Sequence, residues 1–199
     1  MHYAEFVQRV FRRLQSQFVP ISWLRKWWWQ CQGAKIDPKT FVSKWNMVWP
    51  HQTAIGHHCI IEDDVFFKFD GVWEAGPSIV IGDRVFLGRG CEFNIRCQIH
   101  IGRDCLIASG CKFVDHDHAM IICDLPMNKQ ACPEAPIVLE EDVWLGANVI
   151  VLKGVRIGKG AVIGAGAVLT KSVQPYEVWA GIPARKIGER DRQNGLVAR

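Results

Sequence analysis

Hydrophobic side chains return along this chain every six residues. From Leu139 the sequence reads LEEDVW, LGANVI, VLKGVR, IGKGAV, IGAGAV, LTKSVQ. An aliphatic residue opens each unit, at Leu139, Leu145, Val151, Ile157, Ile163 and Leu169. Four positions later comes a small or β-branched residue: Val143, Val149, Val155, Ala161, Ala167 and Val173. The spacing runs to Gln174 without a slip. An amphipathic helix does not keep such a spacing, because its apolar face recurs every ~3.6 residues. Short strands separated by turns do keep it, stacked as the coils of a parallel β-helix. The glycines that follow an opening aliphatic residue, Gly146, Gly158 and Gly164, fit turns where backbones approach closely.

The same frame recurs upstream. IGDRVF, LGRGCE and FNIRCQ run from Ile81 to Gln98. After a two-residue slip at Ile99-His100, IGRDCL, IASGCK and FVDHDH run from Ile101 to His118. An earlier piece, IGHHCI and IEDDVF, spans Ile55 to Phe66. Phe67 to Ser78 and Ala119 to Pro136 break the frame, and both are expected to loop out. The expected organisation is a helical segment over 1–30, a β-helix over 31–188 with excursions near 67–78 and 119–136, and a tail over 189–199.

The frame also accounts for most of the eight cysteines. Cys59, Cys91, Cys97, Cys105 and Cys111 all fall four positions after an apolar opener, where Val and Ala stand elsewhere. Cysteine in such a slot is a small core hydrophobe. No C-x-x-C pair is present, so neither a zinc framework nor a disulfide framework is expected.

Composition narrows the class without changing it. A hydrophobic content of 49% and a charged content of 22% are those of a globular domain. A net charge of +4 is too mild to argue for nucleic acid as a partner. No apolar run reaches the ~18 residues of a spanning helix, and the start lacks the apolar core of a signal peptide. A cytoplasmic location is the expectation.

The repeat resembles the hexapeptide-repeat acyltransferases. That resemblance implies an all-β, left-handed parallel β-helix, three hexapeptides to a triangular coil, over about residues 36–188. The same coil also serves gamma-class carbonic anhydrases and non-catalytic assembly proteins, so a metalloprotein and a scaffold stay open beside an enzyme. Finer motifs favour the enzyme. The stretch DVWLGANVIVLKGVRIGKGAVIGAGAVLTK followed by WAGIPARKIG is similar to the galactoside and maltose O-acetyltransferase group, which includes many cell-surface polysaccharide acetyltransferases. Membership implies acetyl-CoA as acyl donor, a saccharide hydroxyl as acceptor, a homotrimer, and no required metal.

The resemblance also points to residues. In the group a histidine takes the acceptor hydroxyl's proton as its oxygen attacks the thioester. Such a base is worth roughly 10²–10⁴ in rate. Counting from Ile101 without a gap, as the galactoside-type proteins place their base, lands on His118; a two-residue shift lands on His116. Both remain candidates, and Asn94, Asp115 and Asp117 are expected to bind the acceptor. Trp144, Ala147 and Ala165 match positions along the pantetheine arm. Lys171 and Arg185 match the cations that meet the CoA phosphates, and Gly188 stands where a second arginine is often found. The expected chemistry is direct attack within a ternary complex, because no serine or cysteine stands out as a covalent nucleophile.

Residues 1–30 lie outside the repeat. Phe6, Val7, Val10, Phe11, Leu14 and Phe18 follow helical spacing, with Arg9, Arg12 and Arg13 opposite and Pro20 as the expected stop. ISWLRKWWWQ then sets four tryptophans beside Arg25 and Lys26. Two roles fit this amphipathic segment: a cap on the open end of the coil, or an interfacial anchor that touches the inner face of a membrane.

Overall fold

The computed structural model describes residues 19–44, 46–71 and 74–191, with side chains from Trp23 onward. Three sheets form the faces of a triangular prism. The first holds six parallel strands: Lys35–Ile36, Thr53–Ile55, Ile79–Ile81, Ile99–Ile101, Ile137–Leu139 and Arg156–Ile157. The second runs Phe41–Val42, Ile60–Ile61, Phe86–Leu87, Leu106–Ile107, Trp144–Leu145 and Val162–Ile163, then adds Glu177–Gly181 and Ala184–Glu189. The third holds Asn46–Val48, Phe66–Phe69, Glu92–Ile95, Lys112–Val114, Ile150–Leu152 and Val168–Leu169. The chain visits the faces in turn, so each strand pairs with the strand one coil away.

The openers of the six-residue units become the core. Ile36, Ile55, Ile81, Ile101, Leu139 and Ile157 stack in register along the first face. Val42, Ile61, Leu87, Ile107, Leu145 and Ile163 do so along the second. On the third face Phe67, Phe93 and Phe113 are fully buried and stack with ring centroids 4.8 and 4.7 Å apart. The fourth-position residues turn inward at the corners: Cys59, Cys91, Cys105 and Cys111 are buried like the valines and alanines that replace them elsewhere. Cys97 differs and is only half-buried. It lies on a turn whose backbone amides are aimed inward at a carboxylate, described below, and its thiol does not fill the core slot.

Close coil-to-coil approach explains the glycines. A Cβ on Gly146 would stand 2.6 Å from the backbone nitrogen of Ala165, and one on Gly158 would stand 2.4 Å from that of Pro175. At several corners the chain passes through positive φ, as at Gly110 and Gly166, and Asp104, Asp142 and Asn148 do the same work with side chains that tolerate this region.

One expectation shifts. Phe67, Lys68 and Phe69 do not loop out; they complete the strand Phe66–Phe69, and the chain leaves the third face only at Asp70. The buried Phe67 and Phe69 hold them there. At the other end Pro20 lies within a described helix. It sits in the first turn of the helix Val19–Cys31, where its missing N–H has no intrahelical partner to lose. The helix expected over Phe6–Phe18 lies outside the described residues.

The Val19–Cys31 helix has two unlike sides. Arg25 Nη1 donates to the Ser43 carbonyl (3.1 Å), Lys26 Nζ to the Pro38 carbonyl (2.7 Å), and Gln30 Nε2 to the Ile36 carbonyl (2.8 Å). Trp29 packs against the core. These contacts tie one side to the first coil. Trp23, Leu24, Trp27 and Trp28 occupy the other side, and each is more than half exposed.

Candidate functional site

The third and first faces meet at the corner that carries DHDH. Strand Lys112–Val114 sends Phe113 inward and Val114 outward, and the alternation continues past the strand. Asp115 therefore turns in and has no exposed surface. Its carboxylate is met by the turn of the preceding coil: Oδ1 accepts from the Arg96 amide at 2.8 Å, and Oδ2 accepts from the amides of Cys97 (2.8 Å) and Gln98 (2.9 Å). Three convergent N–H groups satisfy a buried carboxylate in place of water. Asp115 was expected to touch the acceptor; with no exposed surface it holds the corner instead.

His116 is the next residue out. Its Nδ1 lies 3.2 Å from Asp115 Oδ1, and its side chain is 12% exposed. A carboxylate at Nδ1 fixes the ring's orientation and leaves Nε2 for chemistry. The chain after His116 pairs antiparallel with the returning end of the 119–136 excursion: His116 bridges Glu134, and the Asp117 and Ala119 amides donate to the carbonyls of Pro133 and Ala131. Asp117 is exposed and pairs with Lys153 at 3.3 Å. His118 is also exposed, and the group it meets is the Cys132 thiol, 3.8 Å from Nδ1. The two histidines thus have different surroundings, a buried carboxylate for one and a solvent-facing loop thiol for the other. Burial, and then the charges of Asp115, Glu134 and Glu74, push the nearby Cys97 thiol up, so it stays protonated.

Asn94 lies on the neighbouring coil, in register with Val114, and its Oδ1 is buried without a partner among the described residues. Arg96, two residues on, has a buried Nε in the same condition. Nothing in the repeat marks Arg96, because an unpartnered Nε shows only in the folded coils.

The residues expected at the donor fall elsewhere. Ala147 and Ala165 form part of the opposite corner, between the second and third faces, and adjoin each other through the Gly166 amide, which donates to the Ala147 carbonyl at 2.8 Å. Trp144 projects from the second face, 52% exposed. Arg185 is exposed on the hairpin that ends that sheet, with Nη1 on its own residue's neighbour, the Ala184 carbonyl. Lys186, the next residue, is engaged by Glu177 at 2.9 Å and by Glu189. Lys171 is exposed and shares the DHDH corner two coils further on. The third face lies between His116 and the Ala147–Ala165 corner. One chain alone does not bring them together.

Among the described residues no group of three or more His, Cys, Asp or Glu side chains is placed to hold a metal ion.

Comparison with known proteins agrees with this geometry. Residues 136–171 match the family described as bacterial transferase hexapeptide (six repeats), and residues 78–111 match the hexapeptide repeat of succinyl-transferase. WbbJ of Escherichia coli (strain K12), named for lipopolysaccharide biosynthesis O-acetyl transfer, is 37% identical over 160 residues, which cover 69% of this chain and 82% of WbbJ. Two other curated relatives are longer, and the chain spans 38% of one and 22% of the other. The N-acyltransferase AntD from Bacillus cereus, solved with dTDP and 3-hydroxybutyryl-CoA, superposes with a TM-score of 0.69 at 21% identity, over 82% of this chain and 87% of AntD. A hexapeptide-repeat acetyltransferase from Vibrio cholerae O1 biovar eltor, complexed with acetyl coenzyme A, gives a TM-score of 0.52 at 26% identity, over 79% of this chain and 70% of that one. The fold is the left-handed parallel β-helix, and the chain belongs to the bacterial hexapeptide-repeat transferases.

Proposed function

We propose that this protein transfers an acetyl group from acetyl-CoA to a hydroxyl of a cell-surface saccharide, with His116 as general base. The observation that carries the reading is the His116–Asp115 pair, an imidazole held at Nδ1 by a buried carboxylate on the corner of a hexapeptide-transferase coil. The Vibrio cholerae neighbour's complex with acetyl coenzyme A supports the donor, and the name of WbbJ supports the acceptor class.

The chemistry follows from the ring's setting. Nδ1–H donates to Asp115, so Nε2 presents a lone pair to the acceptor hydroxyl. As Nε2 takes the proton, the oxygen attacks the thioester carbon and a C–O bond forms. The tetrahedral intermediate then collapses with loss of the C–S bond. The imidazolium, stabilised by the Asp115 carboxylate, returns its proton to the departing CoA thiolate, which leaves a sugar ester, free CoA and neutral His116. No covalent acyl-enzyme is required.

A homotrimer completes the site in this reading. The outward row of the second face is apolar from coil to coil: Phe41, Ile60, Phe86, Leu106, Trp144 and Val162 stand in register. Leu106 and Trp144 are more than half exposed in the single chain. A second copy on this stripe covers it, and a corner bearing Ala147 and Ala165 from one copy then meets the His116 corner of the next.

The helix extends the reading to a bilayer surface. Its indoles, Trp23, Trp27 and Trp28, face away from the coil, and Trp49 is exposed at the same end of the prism. Lys35, Lys39 and Lys44 of the first coil are exposed there, with Asp37 as that coil's acidic residue. Indoles at headgroup depth and ammonium groups toward anionic lipid suit an acceptor built on a lipid carrier. No described helix is long and apolar enough to cross a membrane.

The reading is tested by incubating the protein with isotopically labelled acetyl-CoA and a panel of surface saccharides and following the label by mass spectrometry. Ester-linked label that appears with wild type and disappears with His116→Ala is the expected result. Intact-mass detection of a stable acetyl-enzyme would overturn the direct mechanism.

A further inference from the structure

Asn94 and Arg96 stand one coil before His116, on the outward side of the chain. Phe93 and Ile95 are fully buried, so alternation turns Asn94 and Arg96 out. Asn94 is in register with Val114, two residues before His116, and the Arg96 amide donates to the same Asp115 oxygen that lies against His116 Nδ1. Asn94 Oδ1 and Arg96 Nε are both shielded from solvent, and neither has a hydrogen-bond partner among the described residues.

The neighbouring lysines are committed elsewhere. Lys68 pairs with Asp70, and Lys153 pairs with Asp117. The Asp115 carboxylate takes the three amides and His116. Glu74 and Glu134 stand close enough to act on the Cys97 thiol, while Arg96 Nε has no partner among the described residues. An acceptor oxygen and a guanidinium donor are thus left open side by side at the candidate base. Buried polar atoms are seldom left so, and a bound ligand is one way to satisfy them. The complementary ligand carries a hydroxyl hydrogen for Asn94 and an anionic oxygen for Arg96, whose planar fork fits a carboxylate or a phosphate.

We propose that the acceptor is an anionic saccharide, with Arg96 binding its acidic group and Asn94 accepting from a neighbouring hydroxyl, so that a further hydroxyl is presented to His116. This deepens the acetyl-transfer reading and rests on it. The anionic group has two sources, a sugar carboxylate or a sugar phosphate, and the acceptors tested separate them.

The test measures acetyl transfer at saturating acetyl-CoA to uronic-acid and sialic-acid oligosaccharides, to their carboxyl-reduced counterparts, and to sugar 1-phosphates. Wild type, Arg96→Gln and Arg96→Lys are compared, and acetyl-CoA affinity is measured separately by calorimetry. The expected result is preferred use of one anionic class. Arg96→Gln then raises KM for that class at least about tenfold with little change in kcat, and Arg96→Lys falls between. Acetyl-CoA affinity and the thermal midpoint stay the same in all three proteins. Equal use of anionic and neutral acceptors by wild type overturns the proposal, as does an acidic-to-neutral preference that survives Arg96→Gln. Absence of transfer to every anionic acceptor while acetyl-CoA still binds counts against it equally. Loss of acetyl-CoA affinity in Arg96→Gln assigns the guanidinium to the donor and overturns it too. Absence of acetyl-CoA binding to wild type is a different failure, that of the acetyl-transfer reading itself.

Discussion

His116 leans on Asp115, and Asp115 leans on the backbone: the imidazole nitrogen lies 3.2 Å from a carboxylate with no exposed surface, and that carboxylate collects amides from Arg96, Cys97 and Gln98. His118, two residues away, has a solvent-facing thiol for company. The pair therefore separates by mutation. His116→Ala lowers kcat by about 10²–10⁴ with acetyl-CoA affinity intact, and His118→Ala lowers it less than about tenfold. Asp115→Ala does more, because each stranded buried amide costs about 1–3 kcal/mol. It lowers the thermal midpoint as well as the rate, whereas His116→Ala lowers the rate alone. Steady-state kinetics and thermal unfolding on the same three variants check this.

The phenylalanine stack gives a stability prediction. Phe93 is fully buried between Phe67 and Phe113. Phe93→Ala removes both stacking contacts and leaves a cavity in a coil that neighbouring coils cannot collapse into, at a cost of about 3–5 kcal/mol. Phe93→Leu costs less. Chemical denaturation curves for the two variants give the ordering.

Burial sorts the cysteines. Cys59, Cys91, Cys105 and Cys111 are buried, Cys97 and Cys132 half-buried, Cys31 and Cys123 exposed. Burial pushes the Cys105 thiol up to about 12, and the hydrogen bond with Cys111, then burial, push the Cys91 thiol up. Both therefore stay protonated far above neutral pH and lack the reactive thiolate. With a thiol reagent at pH 8, Cys31 and Cys123 are modified first, Cys97 and Cys132 slowly, and the four buried thiols only after denaturation. Peptide mapping after timed alkylation reads the order.

The exposed indoles predict a lipid preference. Wild type floats with vesicles that contain anionic lipid and stays behind with zwitterionic ones, and a Trp23→Ser, Trp27→Ser, Trp28→Ser variant stays behind with both. Each of the three side chains is more than half exposed, so the variant keeps its acetyl-CoA affinity. Wild type that remains wholly soluble beside anionic vesicles removes the bilayer from the account.

What the sequence made legible was periodic. The six-residue frame located the core positions Ile101, Leu145 and Ile163, the inward Cys91 and Cys111, and the glycines under neighbouring backbones, because each depends only on where a residue stands in its coil. Departures came where contacts are set by something other than the frame. Phe67 and Phe69 stayed in a strand because the aromatic stack outweighed the lost six-residue signal. Cys97 missed its slot because its amide is turned toward Asp115. A count along the chain favoured His118, whereas the carboxylate partner belongs to His116; counting conveys position in the coil but not which neighbour's amides close around an aspartate. Arg96 was silent in sequence because an unpartnered Nε is visible only once the surrounding coils are in place.

The central claim is that this coil binds acetyl-CoA, and calorimetric titration of acetyl-CoA into the purified protein tests it without knowledge of the acceptor and without thiol reagents that eight cysteines would obscure. The account predicts about one site per subunit, an affinity weakened at least about tenfold by Arg185→Ala through lost phosphate contact, and no change with His116→Ala. Folded protein that takes up no acetyl-CoA would contradict it.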